Sequence, residues 1–217
     1  MRIMAVAFVE DDTNVRKQIL KQTIIPDEVH ILKDTTPARS INLRRKRIAK
    51  AQEDLKRIVI DYEPDLVWQL EGDGDLPENA LERLVGHFIK NNDVAYISGI
   101  QVGRHGLYCL GAWRNITPNS FESIDHTLKG LQEVEATGLY CLLAPTHKWL
   151  SGKASWDGEP YGPDVTWGLS IDGKKYVDMG LEIGHIVKSG IIRPSNPSTC
   201  TAYFKKNTDG EWKYKTT

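Results

Sequence analysis

Apolar runs alternate with helix-spaced segments from Met1 to Asn92, and this alternation constrains the fold more than any other feature of the chain. Met4 to Val9 is a continuous apolar stretch ending in Glu10-Asp11-Asp12, the pattern of a buried strand that runs into a polar loop. From Thr13, a residue type suited to an N-cap, Leu20 and Ile24 recur at helical intervals until Pro26 stops them. Val29 to Leu32 reads as a second strand. Ser40 to Val59 reads as a long helix with Ile41, Ile48, Leu55 and Ile58 on one side and Arg44, Arg45, Lys46, Arg47 and Lys50 on the others. Leu66 to Leu70 is the next strand; it runs into Glu71-Gly72-Asp73-Gly74-Asp75, and Pro77 then opens a helix through Leu81, Leu84 and Phe88. This βαβαβα order predicts an α/β fold with a mainly parallel sheet flanked by helices, whose ligands bind beyond the carboxyl ends of the strands. Both acidic clusters fall at such ends.

After Asn92 the texture changes. Val94 to Ile100, Gly106 to Ala112 and Val134 to Leu143 read as strands with Pro, Gly and Asn between them, which predicts a mixed C-terminal part. The stretch from Pro194 is short of apolar residues and is expected to wrap the surface. With no repeat or linker to divide the chain, one domain over residues 1–193 and a tail over 194–217 are expected. The longest apolar runs, Gly138 to Pro145 and Val94 to Ile100, fall well short of the ~20 residues that cross a bilayer, and no leader sequence precedes them, so a cytoplasmic protein without a transmembrane segment is expected. Cys109, Cys141 and Cys200 are far apart and form no CxxC pair, so neither a zinc site nor a disulfide framework is indicated. A net charge of −1 argues against attraction of the whole surface to nucleic acid. Local basic clusters at Arg44 to Lys50, Lys205-Lys206 and Lys213 to Lys215 leave a nucleic-acid-binding module open as an alternative. The sequence is silent on oligomeric state.

The most informative segment is Val67-Trp68-Gln69-Leu70-Glu71-Gly72-Asp73-Gly74-Asp75-Leu76-Pro77. A period of two puts Glu71, Asp73 and Asp75 on one face, where three carboxylates repel one another unless a cation sits among them. Hard oxygen ligands suit magnesium or manganese, which share their shell with water and substrate phosphates, and the two glycines permit a tight turn and a close approach to a ligand. The competing interpretation is an acidic surface turn, because Asp and Gly are ordinary turn residues. An EF-hand fits poorly, since Pro77 and Glu78 stand where that loop needs a ligand and then glycine.

Asp73-Gly74-Asp75-Leu76-Pro77, with Asn79-Ala80-Leu81-Glu82-Arg83-Leu84 after it, resembles the DxD motif and trailing helix of GT-A glycosyltransferases. Downstream, Ala136-Thr137-Gly138-Leu139-Tyr140-Cys141-Leu142-Leu143 is similar to the family's strand after the acceptor region. Gly158-Glu159-Pro160-Tyr161-Gly162-Pro163-Asp164-Val165-Thr166-Trp167 resembles the segment that carries the catalytic base of inverting members. Tyr176-Val177-Asp178 followed by Gly184-His185 looks like the late strand whose histidine completes the metal site. The set spans roughly Arg2 to Ile186. The chain departs from the family pattern in having Pro163-Asp164 where adjacent Glu-Asp is common, and in an acidic cluster that begins at Glu71.

The resemblance implies a GT-A fold, with a nucleotide-binding half over 1–92 and an acceptor half over 93–193. It implies a hexosyltransferase-like enzyme with a UDP- or GDP-sugar donor, Mn2+ or Mg2+, and an acceptor left open among DNA, protein and glycan. Asp73, Asp75 and His185 would hold the metal, and which of Glu71, Asp73 and Asp75 touch it stays open. Asp164 would be the base of an inverting reaction, with Asp157 or Glu159 as substitutes. Glu10, Asp34, Glu71 and Asp73 would line the nucleotide pocket, and Arg39, Arg44 or Arg45 would pair with its diphosphate. Trp156, Tyr161 and Trp167 could stack on a sugar or base, or pack a loop on the core. A nucleotidyltransferase would share the sheet and carboxylates but needs a glycine-rich loop where this chain has Glu10-Asp11-Asp12-Thr13-Asn14. A glycosyltransferase that modifies bases in DNA would use both the carboxylates and the basic clusters.

Overall fold

A computed structural model describes residues 1–34, 41–91, 93–103, 108–156, 161–195 and 199–217. Arg39, Asp157 and Glu159 lie outside the described residues. In chain order the first half contains β1 (Ile3–Val9), α1 (Thr13–Leu20), β2 (Glu28–Lys33), α2 (Ile41–Tyr62), β3 (Leu66–Leu70), β4 (Gly74–Asp75), α3 (Ala80–Lys90) and β5 (Val94–Gln101). The second half contains β6 (Ala112–Thr117), β7 (Ser120–Ser123), β8 (Leu131–Val134), β9 (Ala136–Thr137), β10 (Cys141–Pro145), α4 (Thr146–Ser151), α5 (Pro163–Leu169), β11 (Lys174–Val187), β12 (Gly190–Ile192), β13 (Ala202–Lys206) and β14 (Trp212–Thr216).

The main sheet has the order β12-β11-β5-β10-β3-β1-β2, with β4 and β8 pairing on β11. Its central strands β1, β3, β5 and β10 are largely apolar because both faces are covered. Ile3, Ala5, Ala7 and Val9 share a core with α1 and α3, through Val15, Ile19, Leu81 and Leu84. Met4 and Val6 face the other way, toward Leu55 and Val59 of α2, Trp149 of α4 and Trp167 of α5.

The sheet is mixed, which corrects the expectation of a mainly parallel one. β2, β1 and β3 are parallel, as are β5 and β11, but β10 lies antiparallel between β3 and β5. Cys141 at the start of β10 pairs with Leu70 at the end of β3. After β5 the chain stays at the carboxyl end of the sheet while it builds a second sheet, and it re-enters from that end, so β10 must run backwards.

Among the described residues the stretch read as one strand over Val134 to Leu143 is divided between β8, β9 and β10, and these serve both sheets. The expected strand over Gly106 to Ala112 lies partly outside the described residues; its described part makes a bridge, Leu110 to Val102, and enters β6 at Ala112. α1 stops at Leu20, short of Ile24, and α3 begins at Ala80 rather than Pro77, because β4 first pairs with β11.

The second sheet is antiparallel, in the order β14-β13-β7-β6-β9. Residues from Pro194 onward do not simply wrap the surface, since β13 and β14 form a hairpin on β7. The apolar residues that seat this hairpin are aromatic: Phe204 stacks on Phe121 at 4.4 Å between ring centroids, and Trp212 lies 5.4 Å from Phe121. No helix among the described residues is long and apolar enough to cross a membrane.

Candidate active site

The carboxyl ends of β1 and β3 open into a cleft of 720 Å³, whose far wall is the second sheet. Glu10, Asp34, Arg44, Glu71, Asp73, Asp164 and His185, all singled out from sequence, border this one cleft. Asp75 does not border it, and Arg39 is outside the described residues.

The acidic turn is built by a strand that stops and a helix that grips it. Gly72 packs where a Cβ would lie 3.0 Å from Val9 Cγ1, so a larger residue would fit against β1 only if the Val9 side chain gave way by a few tenths of an ångström. Neither Gly72 nor Gly74 has a positive φ; the two are small for packing, not for a left-handed turn. On α1, Asn14 donates its amide to the carbonyls of Gly72 at 2.8 Å and Gly74 at 2.9 Å. One turn on, Gln18 accepts from the backbone N–H of Leu76 at 2.9 Å, and Gln22 accepts from that of Leu81 at 3.1 Å. These three residues escaped the sequence reading, although Asn14 and Gln18, four apart on one face of α1, were a usable signal; Gln22 lies two residues past the end of the helix. Asn14→Ala removes both bonds to the turn and is expected to cost about 1–2 kcal/mol, read as a lower thermal midpoint.

Asp73 and His185 come together, with Asp73 Oδ2 3.2 Å from His185 Nε2. β4 and β11 set this contact: Gly74 pairs with His185, and the Ile186 N–H donates to the Asp73 carbonyl at 2.8 Å. His185 Nδ1 lies 2.8 Å from the Val102 carbonyl, an acceptor only, so Nδ1 carries a proton and donates it. In a neutral ring, Nε2 then presents a lone pair toward a carboxylate. Two acceptors face one another, and either a second ring proton or a cation must lie between them. Among the described residues no three His, Cys, Asp or Glu side chains gather as a metal cluster.

Asp75 points elsewhere. Lys21 Nζ reaches its Oδ1 at 3.4 Å, Arg193 holds its Oδ2, and Gln18 is 3.5 Å away. The three carboxylates do not share a face, because the strand ends at Leu70 and the turn carries Asp75 into a different pairing. Asp12 is likewise structural, bound to Arg16 at 2.6 Å and Lys33 at 2.7 Å, and these partners hold its carboxyl down to about 2.

Asp164 sits in the first turn of α5 at the cleft. Burial pushes its carboxyl above the ordinary range, against the opposing pull of the Val165 and Asp164 N–H groups and of Arg45. A Cβ on Gly162 would meet Asp164 Oδ1 at 2.2 Å, so the carboxylate occupies the space that glycine leaves. Gly162→Ala is expected to swing this carboxylate while the core of α5, Val165 and Trp167, stays packed, and the thermal midpoint should move little. Arg45 lies 4.1 Å over the Trp156 ring, and Trp167 is fully buried in the core; Tyr161 borders the cleft.

The basic run of α2 does not form a uniform strip. Arg44 and Arg45 border the cleft, Arg47 binds Asp34 at 2.8 Å, and Lys50 pairs with Asp54 at 2.5 Å. Among the described residues, Gln101, a lining residue 3% exposed, has no hydrogen-bond acceptor for its buried Nε2. Such a donor costs about 1–3 kcal/mol unless a ligand or water satisfies it.

The chain is a mixed α/β protein with a cleft between the strand ends of a large sheet and a smaller antiparallel one. The solved structure of A197 from STIV is similar, with a TM-score of 0.58 at 13% identity, covering 98% of this chain and 93% of that one. At this identity the likeness bears on fold alone. No protein-family model matches the sequence, and no curated protein matches it either.

Proposed function

We propose that this chain is a metal-dependent glycosyltransferase of the GT-A type that uses a nucleotide-diphosphate sugar as donor. The observation that carries the proposal is the Asp73–His185 pair at 3.2 Å, two ligand atoms facing each other across the end of β3 with the imidazole tautomer held by Val102. Manganese or magnesium bound there would supply Lewis-acid stabilisation of charge on the departing diphosphate. Glu71-Gly72-Asp73, rather than Asp73-Gly74-Asp75, is then the working acidic pair, since Glu71 and Asp73 border the cleft and Asp75 does not.

The chain's own residues have distinct roles. Glu10 and Asp34, at the ends of β1 and β2, offer acceptors to a nucleoside; Arg44 offers a cationic donor to phosphate. In an inverting transfer the acceptor oxygen bonds to the anomeric carbon, the bond to the diphosphate breaks, and Asp164 takes the acceptor's proton. A carboxyl raised by burial is a better base than an exposed one, so the acid limb of kcat/KM is expected above the ordinary carboxylate range. Asp164→Asn should remove the transferase rate but spare nucleotide binding.

The test is a donor-hydrolysis screen with manganese and a panel of UDP- and GDP-sugars, read as release of nucleoside diphosphate. Metal-dependent release that stops with a chelator is expected. Release that survives the chelator, or no heat of association with any donor, would overturn the proposal.

A further inference from the structure

We propose that the aromatic wall of the second sheet, together with Gln101, is a binding site for a neutral saccharide ring, which makes a glycan the acceptor. It rests on the glycosyltransferase reading only for what happens to that ring once bound. Three observations carry it. Trp113, Phe121, Tyr161 and Phe204 all border the cleft. They form one continuous array: Trp113 meets Phe121 edge-on at 5.3 Å, Phe121 stacks on Phe204 at 4.4 Å, and Tyr161 meets Phe121 at 5.2 Å. All four are half-buried, so each keeps surface available to a ligand.

Aromatic surface alone would suit a sugar, a base or an apolar side chain, and the polar groups beside it discriminate. Gln101 Nε2 is a buried donor with no partner, and the N–H of Gly111 binds the Gln101 carbonyl at 2.8 Å, which ties this residue to the approach of Trp113. Asp164 supplies an acceptor, and Tyr161 lies on the segment just ahead of it. A saccharide ring has an apolar face of C–H groups and a rim of hydroxyls that both donate and accept; it fits a wall of rings flanked by an amide donor and a carboxylate acceptor.

Charge disfavours nucleic acid in the cleft. Among the described residues the lining carries Glu10, Asp11, Asp34, Glu71, Asp73 and Asp164 against Arg44 and Arg45, a balance that opposes a long phosphate chain and admits a diphosphate only together with a cation. Strand alternation places Lys205, Lys213 and Lys215 on the face of the sheet away from Phe204 and Tyr214, and Lys206, which shares the Phe204 face, lies 5.7 Å over the Trp212 ring and does not border the cleft.

Saturation-transfer NMR with methyl glycosides of glucose, galactose, mannose and N-acetylglucosamine tests this without any donor. At least one is expected to receive saturation on the C–H groups of a single ring face. Trp113→Ala should weaken that binding about tenfold, the loss of one aromatic contact. Gln101→Leu, which keeps the volume and removes the unpaired donor, should weaken it without altering which ring face is saturated. Manganese–UDP calorimetry on the same samples reports whether the variants keep an intact cleft. Saccharide binding in a protein that binds no nucleotide sugar would sink the enzyme reading and leave this site standing. The site is overturned if none of the glycosides binds, if binding is indifferent to both Trp113→Ala and Gln101→Leu, or if a single-stranded oligonucleotide takes the wall instead.

Discussion

Asp73→Asn is expected to lower sugar-nucleotide turnover by about three orders of magnitude, the scale of losing a group that stabilises charge only as it develops. The physical basis is the pairing with His185. An amide has the size of the carboxylate but not its charge, and it can aim a donor at Nε2 where an anion stood, so the pair no longer attracts a cation. The fold should be indifferent, since β4 is held through backbone bonds to β11 and through Asn14, none of which uses the Asp73 side chain. Asp75→Asn is the informative contrast. Its partners are Lys21, Arg193 and Gln18, so turnover should stay within a few-fold of wild type, with at most a modest loss of stability. Steady-state rates for both variants, with circular dichroism as a control on folding, decide between the two acidic pairs. If Asp75→Asn is the dead variant and Asp73→Asn the active one, the assignment is inverted.

Arg83→Ala should be the most destabilising change of a single charged residue, at about 3 kcal/mol, or a fall of roughly 6–12 °C in thermal midpoint for a chain of this size. Asp178 is 1% exposed, and Arg83 grips both of its oxygens, at 2.5 and 2.8 Å, while His87 reaches Oδ2 at 2.7 Å and the Gly180 N–H donates at 2.9 Å. Burial alone would raise this carboxyl, but Arg83, His87 and the Gly180 N–H outweigh it and hold it below the usual value. A depressed folded value means that the stabilisation is complete above the unfolded carboxylate value of about 4 and is lost as pH falls through the folded one. Acid unfolding of the wild type should therefore include this step, and Asp178→Leu with Arg83→Met should remove it and recover part of the stability. Denaturant titrations from neutral pH to below 4 measure both effects. A Trp113-type loss of ligand binding without loss of stability would be the wrong signature for Arg83, which lies on α3, away from the cleft lining.

Local signals carried much of the architecture. β1, β3 and β5 were visible because strands covered on both faces must be continuously apolar, and α2 because its apolar residues recur at helical spacing. The placement of Glu10, Glu71 and Asp73 around one cleft followed from a general property of βαβ units, whose strand ends converge on a common edge, and Asp34 was added through the resemblance. His185 and Asp164 were reached only through resemblance; no spacing in the chain brings them near Asp73.

Pairings between distant segments stayed hidden. Alternation predicted Glu71, Asp73 and Asp75 on one face, but β3 ends at Leu70, and the turn hands Asp75 to Lys21 and Arg193, residues far away in sequence. The antiparallel β10 is set by the end of the sheet from which the chain returns, which its own five residues do not encode. The hairpin after Pro194 looked like a surface wrap because Phe204 and Trp212 are few and aromatic; they find packing partners only when Phe121 and Trp113 stand opposite. Periodicity records how a segment meets solvent and core, and the chain supplies it residue by residue. Which segment lies across from which depends on closure of the whole sheet, and Asp73, Asp75 and Asp164 acquire their different partners only then.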